Sequence, residues 1–338
     1  MPLAKLKKEE ITPEQISDLL YEYFSPVMKG FYEMQSSFFS TRYKIHKSIE
    51  TSSIILTYVR QIHLAIVRKR ERKLDHEVSL KNFISNLKLI ESPRHKIVSI
   101  VNSTGIPKET VRRKIKKLID LEYLSIDKNK EYYWNLTEKR ESHFLKIANS
   151  DIYVIAKFVS DLAKYLNINL DKKAVEDEIK SEFSFYFYHY LTCQLKWLHM
   201  WQTKIKDIDL LFISMQALIP TLGYEEKSKN IKALGIDNIY KIVGKDHENK
   251  SLSHDSTINA SSISEITGIS RATCIRKIEK LVKLGLLIRD QKTKRYAVNN
   301  ITAGRTKNII TKENVVFTIS TFSEYLSIII NAMIRKKI

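Results

Sequence analysis

The chain of 338 residues carries 57 lysines and arginines against 38 acidic residues, a formal charge of +19. Such a balance favours a polyanionic partner, nucleic acid before membrane, because neutralising phosphates releases counterions. With 43% hydrophobic residues, 8 glycines and 6 prolines, it has material for two domain cores and few helix breakers, so a mainly helical protein is expected. Cys193 and Cys274 give neither a disulfide framework nor a zinc spacing. The start, MPLAKLKKEEI, lacks the long apolar core of a secretory signal. The most apolar run, residues 325–334, is too short to cross a bilayer. A reducing cytoplasm fits these features best.

In chain order, Thr12, Pro13 and Gln15 form a helix start: N-cap, proline in the first turn and capping-box partner. The predicted helix is long and aromatic, with Tyr23, Phe24, Phe31, Phe38 and Phe39 at helical spacing and a kink near Pro26. A second helix is predicted over about 43–70. Its basic end, VRKRERK, reads either as a solvated helix end or as a contact to DNA backbone. Leu80, Phe83, Ile84, Leu87 and Ile90 predict a further helix, and 97–103 a supporting one. Then comes TGIPKETVRRKIKKLIDLEYL, residues 104–124, a tight turn and an amphipathic helix. An apolar strand (123–126), a polar turn (127–130) and an aromatic strand (132–136) follow, and a helix over 138–166 closes the segment.

The second part of the chain has the same order. FSFYFYHYLTCQLKWLHMWQ, residues 183–202, is similar to 31–50, and 207–219 is similar to 54–66. A longer polar connection covers 225–256, with KDHENKSLSHDS from Lys245 as the predicted mobile loop. Residues 267–287, TGISRATCIRKIEKLVKLGLL, then repeat the turn and amphipathic helix. Ser270 is its N-cap, Cys274, Ile278, Leu281 and Val282 form its buried stripe, and Gly285 ends it. Strands follow at 286–289 and 296–298. Comparing 104–127 with 267–290 gives twelve identities: Thr104, Gly105, Ile106, Thr110, Arg113, Lys114, Ile115, Lys117, Leu118, Leu121, Leu124 and Asp127. At the same offset, residues 151–163 match 314–326. Duplication explains this better than chance.

Helix, turn, helix and β-hairpin in that order resemble the winged helix-turn-helix of bacterial transcription regulators. Long helices, a winged unit and a closing helix in each half are similar to MarR-type regulators, although a GntR-like lineage leaves similar marks. The resemblance implies a mainly α protein with short β-hairpin wings, two tandem winged units joined by long dimerisation-type helices. The chain is then two fused protomers, a monomer acting as a pseudo-dimer. The expected divisions are long helices over 1–78, a first winged unit over 79–137 and its closing helix over 138–166. Long helices over 167–224, a second winged unit over 225–302 and a closing helix over 303–338 complete the chain.

On that resemblance each second helix enters the major groove of double-stranded DNA. The first unit offers Lys108, Glu109, Thr110, Arg112 and Arg113, the second Arg271, Ala272, Thr273, Ile275 and Arg276. Arginine can hold guanine with two bonds, while Ala272 and Ile275 suit thymine methyls. Lys117 and Lys280, with the wing residues Lys128, Lys130, Lys292, Lys294 and Arg295, are expected on the backbone or in the minor groove. Pro107 replaces the Ser270 cap and Glu109 turns a carboxylate towards phosphates, so different half-sites are expected, an imperfect inverted repeat.

Other readings stand beside these. Lys116, Lys117, Lys280 and Lys283 also suit a solvated helix face. Cys274 reads as a small core residue before a redox sensor. His189 and His199, among Phe185, Phe187, Tyr188, Trp197 and Trp201, read as core or interface before an effector pocket, and no small-molecule effector is identified. No glycine-rich phosphate loop, nucleophile elbow or metal set is present in the sequence, so no catalysis, cofactor or metal is expected. The rival functions are a plasmid-type replication initiator, which binds direct repeats, and a nucleoid-associated protein, which binds backbone with little sequence preference.

Overall fold

In the computed structural model, which describes residues 10–73, 76–228, 253–299 and 312–336, the first helix begins where its cap chemistry places it. The Thr12 side chain accepts from the Gln15 N–H and the Gln15 side chain accepts from the Thr12 N–H, opening α1 (Pro13–Glu22). The break falls at Tyr23, and α2 (Phe24–His46) restarts at once with Pro26 in its first turn, where a missing N–H costs nothing. Tyr43 belongs to α2, so α3 begins six residues later than the sequence predicts. Left-handed Lys47 (φ 57°) ends α2, and Ser48 caps α3 (Ile49–Arg72).

A five-residue helix, α4 (Phe83–Leu87), stands where a longer one is expected, followed by the short strand β1 (Arg94–His95). Next come α5 (Ile97–Thr104), α6 (Lys108–Asp120), β2 (Leu124–Ile126), β3 (Tyr132–Trp134) and α7 (Glu138–Tyr165). Then follow α8 (Lys172–Ser181), α9 (Phe183–Ile205), α10 (Ile208–Ser228) and a short 3-10 turn, His254–Ser256. The last described elements are α11 (Ala260–Thr267), α12 (Arg271–Lys283), β4 (Leu287–Arg289), β5 (Tyr296–Val298) and α13 (Lys312–Lys336). The fold is therefore mainly helical with a few short strands. Most of the polar connection expected over 225–256, and the start of the segment expected over 303–338, lie outside the described residues.

Element bounds recur along the chain. Those of α11, α12 and β4 are displaced by 163 positions from α5, α6 and β2. Those of α8 and α9 are displaced by 159 from α1 and α2, and α3 and α10 start 159 apart. Backbone angles recur as well: Tyr23 (φ −109°, ψ 41°) with Glu182 (φ −109°, ψ 39°), and Lys47 (φ 57°) with Lys206 (φ 59°). The sequence reading sets Phe183 against Phe31, whereas the helix bounds set it against Phe24, seven residues earlier. Seven residues are two helical turns, so a slipped aromatic stripe matches almost as well as the aligned one.

The long helices interleave. α3 lies along α9 and α10 along α2; α2 packs on α7 and α9 on α13; α1 closes on α13 and α8 on α7. Edge-on ring contacts tie α2 to α9 at the centre, Phe31 to Trp197 (6.2 Å) and Phe38 to Tyr190 (5.9 Å). Beside them a buried, bidentate Arg42–Asp151 pair joins α2 to α7, with nitrogen–oxygen distances of 2.9 and 2.5 Å. α13 is longer than the apolar run in the sequence suggests: 25 residues with a window of mean hydropathy 1.4, which by length and composition meets the requirement for a membrane span. Over half of that window is buried inside the protein, and Asn331 exchanges two hydrogen bonds with the backbone of Ile11.

Two histidines, His63 in the core and His46 half-buried beside it, couple this packing to pH. His63 of α3 is fully buried among Phe83, Phe183 and Phe187, and burial holds its imidazole down to about 3. His46 is also held to about 3, first by burial and then by Arg42, His143 and Arg140. In the unfolded chain both take up protons near pH 6.5, so below that pH the unfolded state binds protons that the folded state refuses. Stability therefore falls as pH drops from about 6.5 towards 3, by up to about 1.4 kcal/mol per pH unit for each histidine. Urea unfolding between pH 7 and 5 should show a shallower loss for His63→Phe than for the unmodified protein. An unchanged slope would mean that His63 is not held neutral by the core.

Candidate nucleic-acid interface

Each of the two matched segments forms a helix pair. Thr104 donates its hydroxyl to the Ile100 carbonyl (2.8 Å) and accepts from the Ile106 N–H (3.3 Å); Thr267 repeats this with Ile263 and Ile269 at 2.7 and 3.2 Å. Gly105 (φ 69°) and Gly268 (φ 75°) then turn the chain through a conformation in which L side chains are strained. Val111, Ile115 and Leu118 bury one face of α6; Cys274, Ile278 and Leu281 bury the same face of α12.

A hairpin follows each pair. β2 and β3 pair antiparallel, with β1 on the far side of β3, and β4 pairs with β5. Ile258 bridges Tyr296 where His95 bridges Tyr132. At the tips, Asp127 accepts from the N–H groups of Asn129 and Glu131, and Asp290 from those of Lys292 and Thr293, all at 2.8–2.9 Å. Such carboxylate-capped turns account for the aspartate shared by the two matched segments.

The expected contact residues fall on the outer faces of these pairs. Lys108, Glu109, Arg112, Arg113 and Lys117 are exposed along α6, with Thr110 half-buried. On α12, Arg271, Ala272, Arg276 and Lys280 are exposed, with Thr273 and Ile275 half-buried. Lys128, Lys130, Lys292 and Lys294 are exposed at the hairpin tips. Arg295 is turned inward: its guanidinium donates to the Thr257 hydroxyl (2.7 Å) and carbonyl (2.6 Å), bracing the second hairpin against the chain before α11.

The two faces differ. Ser270 caps α12 through the Thr273 N–H, whereas Pro107 provides no side-chain cap to α6. Arg112 is held by Glu109 through two bonds of 2.7 and 2.9 Å, and their counterparts, Ile275 and Ala272, carry no charge. Arg271 donates to the Ser261 hydroxyl at 3.2 Å.

Sequence reasoning missed the lysines that fasten the helix pairs to the core. Lys114 reaches Glu50 (2.9 Å) and the Ser48 hydroxyl (2.8 Å) at the start of α3. Lys277 reaches Asp209 (3.2 Å) and Asp207 (2.8 Å) at the start of α10. Burial pushes the Asp209 carboxyl up, and the Lys277 ammonium beside it opposes that shift. The signal was present, since Lys114 and Lys277 are among the twelve identities and Glu50 and Asp209 match at the 159 offset.

The aromatic stripe of α9 is core, with Trp197, Phe187 and Trp201 at 1%, 3% and 7% exposure. Phe187 borders a cavity of about 50 Å³ between α3, α7 and the first hairpin, room for a few waters but not for a drug-sized ligand. A larger groove, about 490 Å³, runs between α2, α10 and the chain before α11, lined by Glu33, Ser36, Gln216 and Ile258 among others. Cys274 is buried beside Thr267, and burial raises its thiol; Cys193 is buried and pushed up to about 12, so both thiols are held protonated. Among the described residues no group of three or more histidine, cysteine or acidic side chains is arranged to hold a metal.

The turn glycines differ in their surroundings. A methyl added at Gly268 would stand 3.0 Å from Cγ of Lys44, whereas at Gly105 the nearest atoms, on His199 and Thr203, lie 3.4 Å away. Both alanine variants should lose about 1–2 kcal/mol to the left-handed backbone, and Gly268→Ala should lose more in chemical denaturation. Equal losses would contradict this packing. No family model matches the chain, and neither a curated protein nor a solved structure does.

Proposed function

We propose that the protein is a sequence-specific DNA-binding transcription regulator: a MarR-like, internally duplicated chain in which two winged helix-turn-helix units read an imperfect inverted repeat. The observation that carries this reading is what the shared residues do. Nine of the twelve identities have a local explanation: turn geometry for Thr104 and Gly105, burial for Ile106, Ile115, Leu118 and Leu124, half-burial for Thr110, attachment to the core for Lys114 and the hairpin tip for Asp127. Leu121 is exposed where its counterpart Leu284 is half-buried. Arg113 with Arg276, and Lys117 with Lys280, have no such explanation. All four are exposed and without an ion pair among the described residues, so folding gives no reason for their identity. A common polyanion does.

In this reading α6 and α12 enter successive major grooves with their first turns at base edges. Arg276 and Arg113 provide the shared contact, while Arg271 and the methyl-bearing Ala272 and Ile275 give the second unit a preference of its own. Glu109 restrains Arg112 in the first unit, either aiming it at a base or accepting from a cytosine amine. Exposed Lys128, Lys130, Lys292 and Lys294 hold backbone from the hairpin tips, and Arg295 serves the hairpin's own fold. The place of action is the cytoplasm, at the nucleoid, with no catalytic step.

The test is an exchange. Transplanting residues 108–113 of α6 into 271–276 of α12, and the reverse, should swap the preferred half-sites in a competition binding assay. Single replacement of Arg113 or Arg276 by Ala should cost about 1–3 kcal/mol at one base position of one half-site. Unchanged preference after the exchange would contradict the assignment of these helices to base reading.

A further inference from the structure

The two helix pairs sit astride a pair of helix ends. Gly105, in the turn before α6, lies against Thr203 and His199 near the end of α9, and Gly268, in the turn before α12, lies against Lys44 near the end of α2. Just past those ends, Ser48 holds Lys114 of α6 and Asp207 holds Lys277 of α12. Each helix end is therefore gripped between the turn of one unit and the second helix of the other. Four lysines occupy this place: Lys44, Lys47, Lys204 and Lys206. All are exposed, and none has an ion pair among the described residues. Lys47 and Lys206, both left-handed, end their helices at matched positions. The fold thus collects unpaired positive charge on the surface between its two helix-turn-helix elements.

We propose that these four lysines bind the phosphate backbone of the DNA segment between the two half-sites. The inference rests on the DNA-binding reading above and extends its footprint to a third surface. Two helices in successive major grooves on one face of a duplex leave the intervening minor groove, with its flanking phosphates, opposite whatever lies between them. Here that surface is lysine on flexible stems, suited to phosphate as a point charge but without the fixed geometry that reads a base edge. The negative end of each helix dipole also favours cations there before any DNA is bound. The central surface adds affinity and sets register, and leaves sequence preference to α6 and α12.

The experiment uses the full chain and a duplex of roughly 30 base pairs carrying the sequence it prefers, with affinity followed by fluorescence anisotropy from about 50 to 300 mM potassium chloride. In the variant K44Q/K47Q/K204Q/K206Q the slope of log Kd against log salt should fall by about 3 to 4, near 0.9 for each lost contact, while the ranking of competing duplexes stays the same. The matching lysine-to-arginine variant should keep the slope of the unmodified protein, which separates loss of charge from damage to the fold. A glutamine variant with unchanged slope and affinity would overturn the proposal and leave the DNA-binding reading standing. A changed ranking of duplexes would overturn the backbone role. If the unmodified protein binds no duplex at all, the DNA-binding reading fails and the proposal falls with it.

Discussion

The interface between α2 and α9 is the constraint on which the rest of the molecule depends. Phe31 meets Trp197 and Phe38 meets Tyr190. In the register set by the helix bounds, Phe31 matches Tyr190 and Phe38 matches Trp197, so the two contacts are each other's image. Reciprocity of this kind defines a two-fold, isologous interface between subunits, and here it occurs within one chain. Gln35 and Gln194 match in the same register, lie on the same helix faces between the ring contacts, and are both fully buried. Because α3 then lies along α9 and α10 along α2, neither set of long helices can bury its apolar face without the other. The helix pairs that carry the basic faces inherit their relative placement from this core.

The two matched helix pairs are alike but not identical. A homodimer must use one sequence for both helix pairs, whereas this chain carries Pro107, Glu109 and Arg112 in one and Ser270, Ala272 and Ile275 in the other. Both pairs are attached in the same way, by Lys114 to Glu50 and Ser48 and by Lys277 to Asp209 and Asp207. The core differs too: the buried Arg42–Asp151 pair has Trp201 and Asn314 at the matching positions, and there Asn314 donates to the sulfur of Met200. Removing one partner of a buried ion pair costs far more than replacing both by shapes that pack, which gives such a pair reason to change as a unit.

The parts of this architecture that were legible in the sequence are those fixed by local chemistry. The Thr12 cap, the Ser270 cap, the turn glycines, and the bounds of α5, α6 and α12 follow from residue type and period. The helix boundary at Lys47 was not legible, because a lysine in the left-handed conformation has no sequence signature as glycine does. The upstream register slipped by two turns because aromatic residues recur on every turn of α2 and α9. Among candidate contact residues, exposure follows from the buried stripe of each helix, but the inward turn of Arg295 does not. Its partners, Thr257 and His254, lie about forty positions earlier, and a basic hairpin residue looks the same in sequence whether it faces phosphate or a carbonyl.

Selection of bound duplexes from a random DNA pool at near-physiological salt reads the preferred sequence without presupposing it. An enriched inverted repeat with half-sites about one helical turn apart and not quite identical is expected. Enriched direct repeats would contradict the pseudo-two-fold reading and favour an initiator, and the absence of any enriched motif would contradict sequence-specific recognition itself.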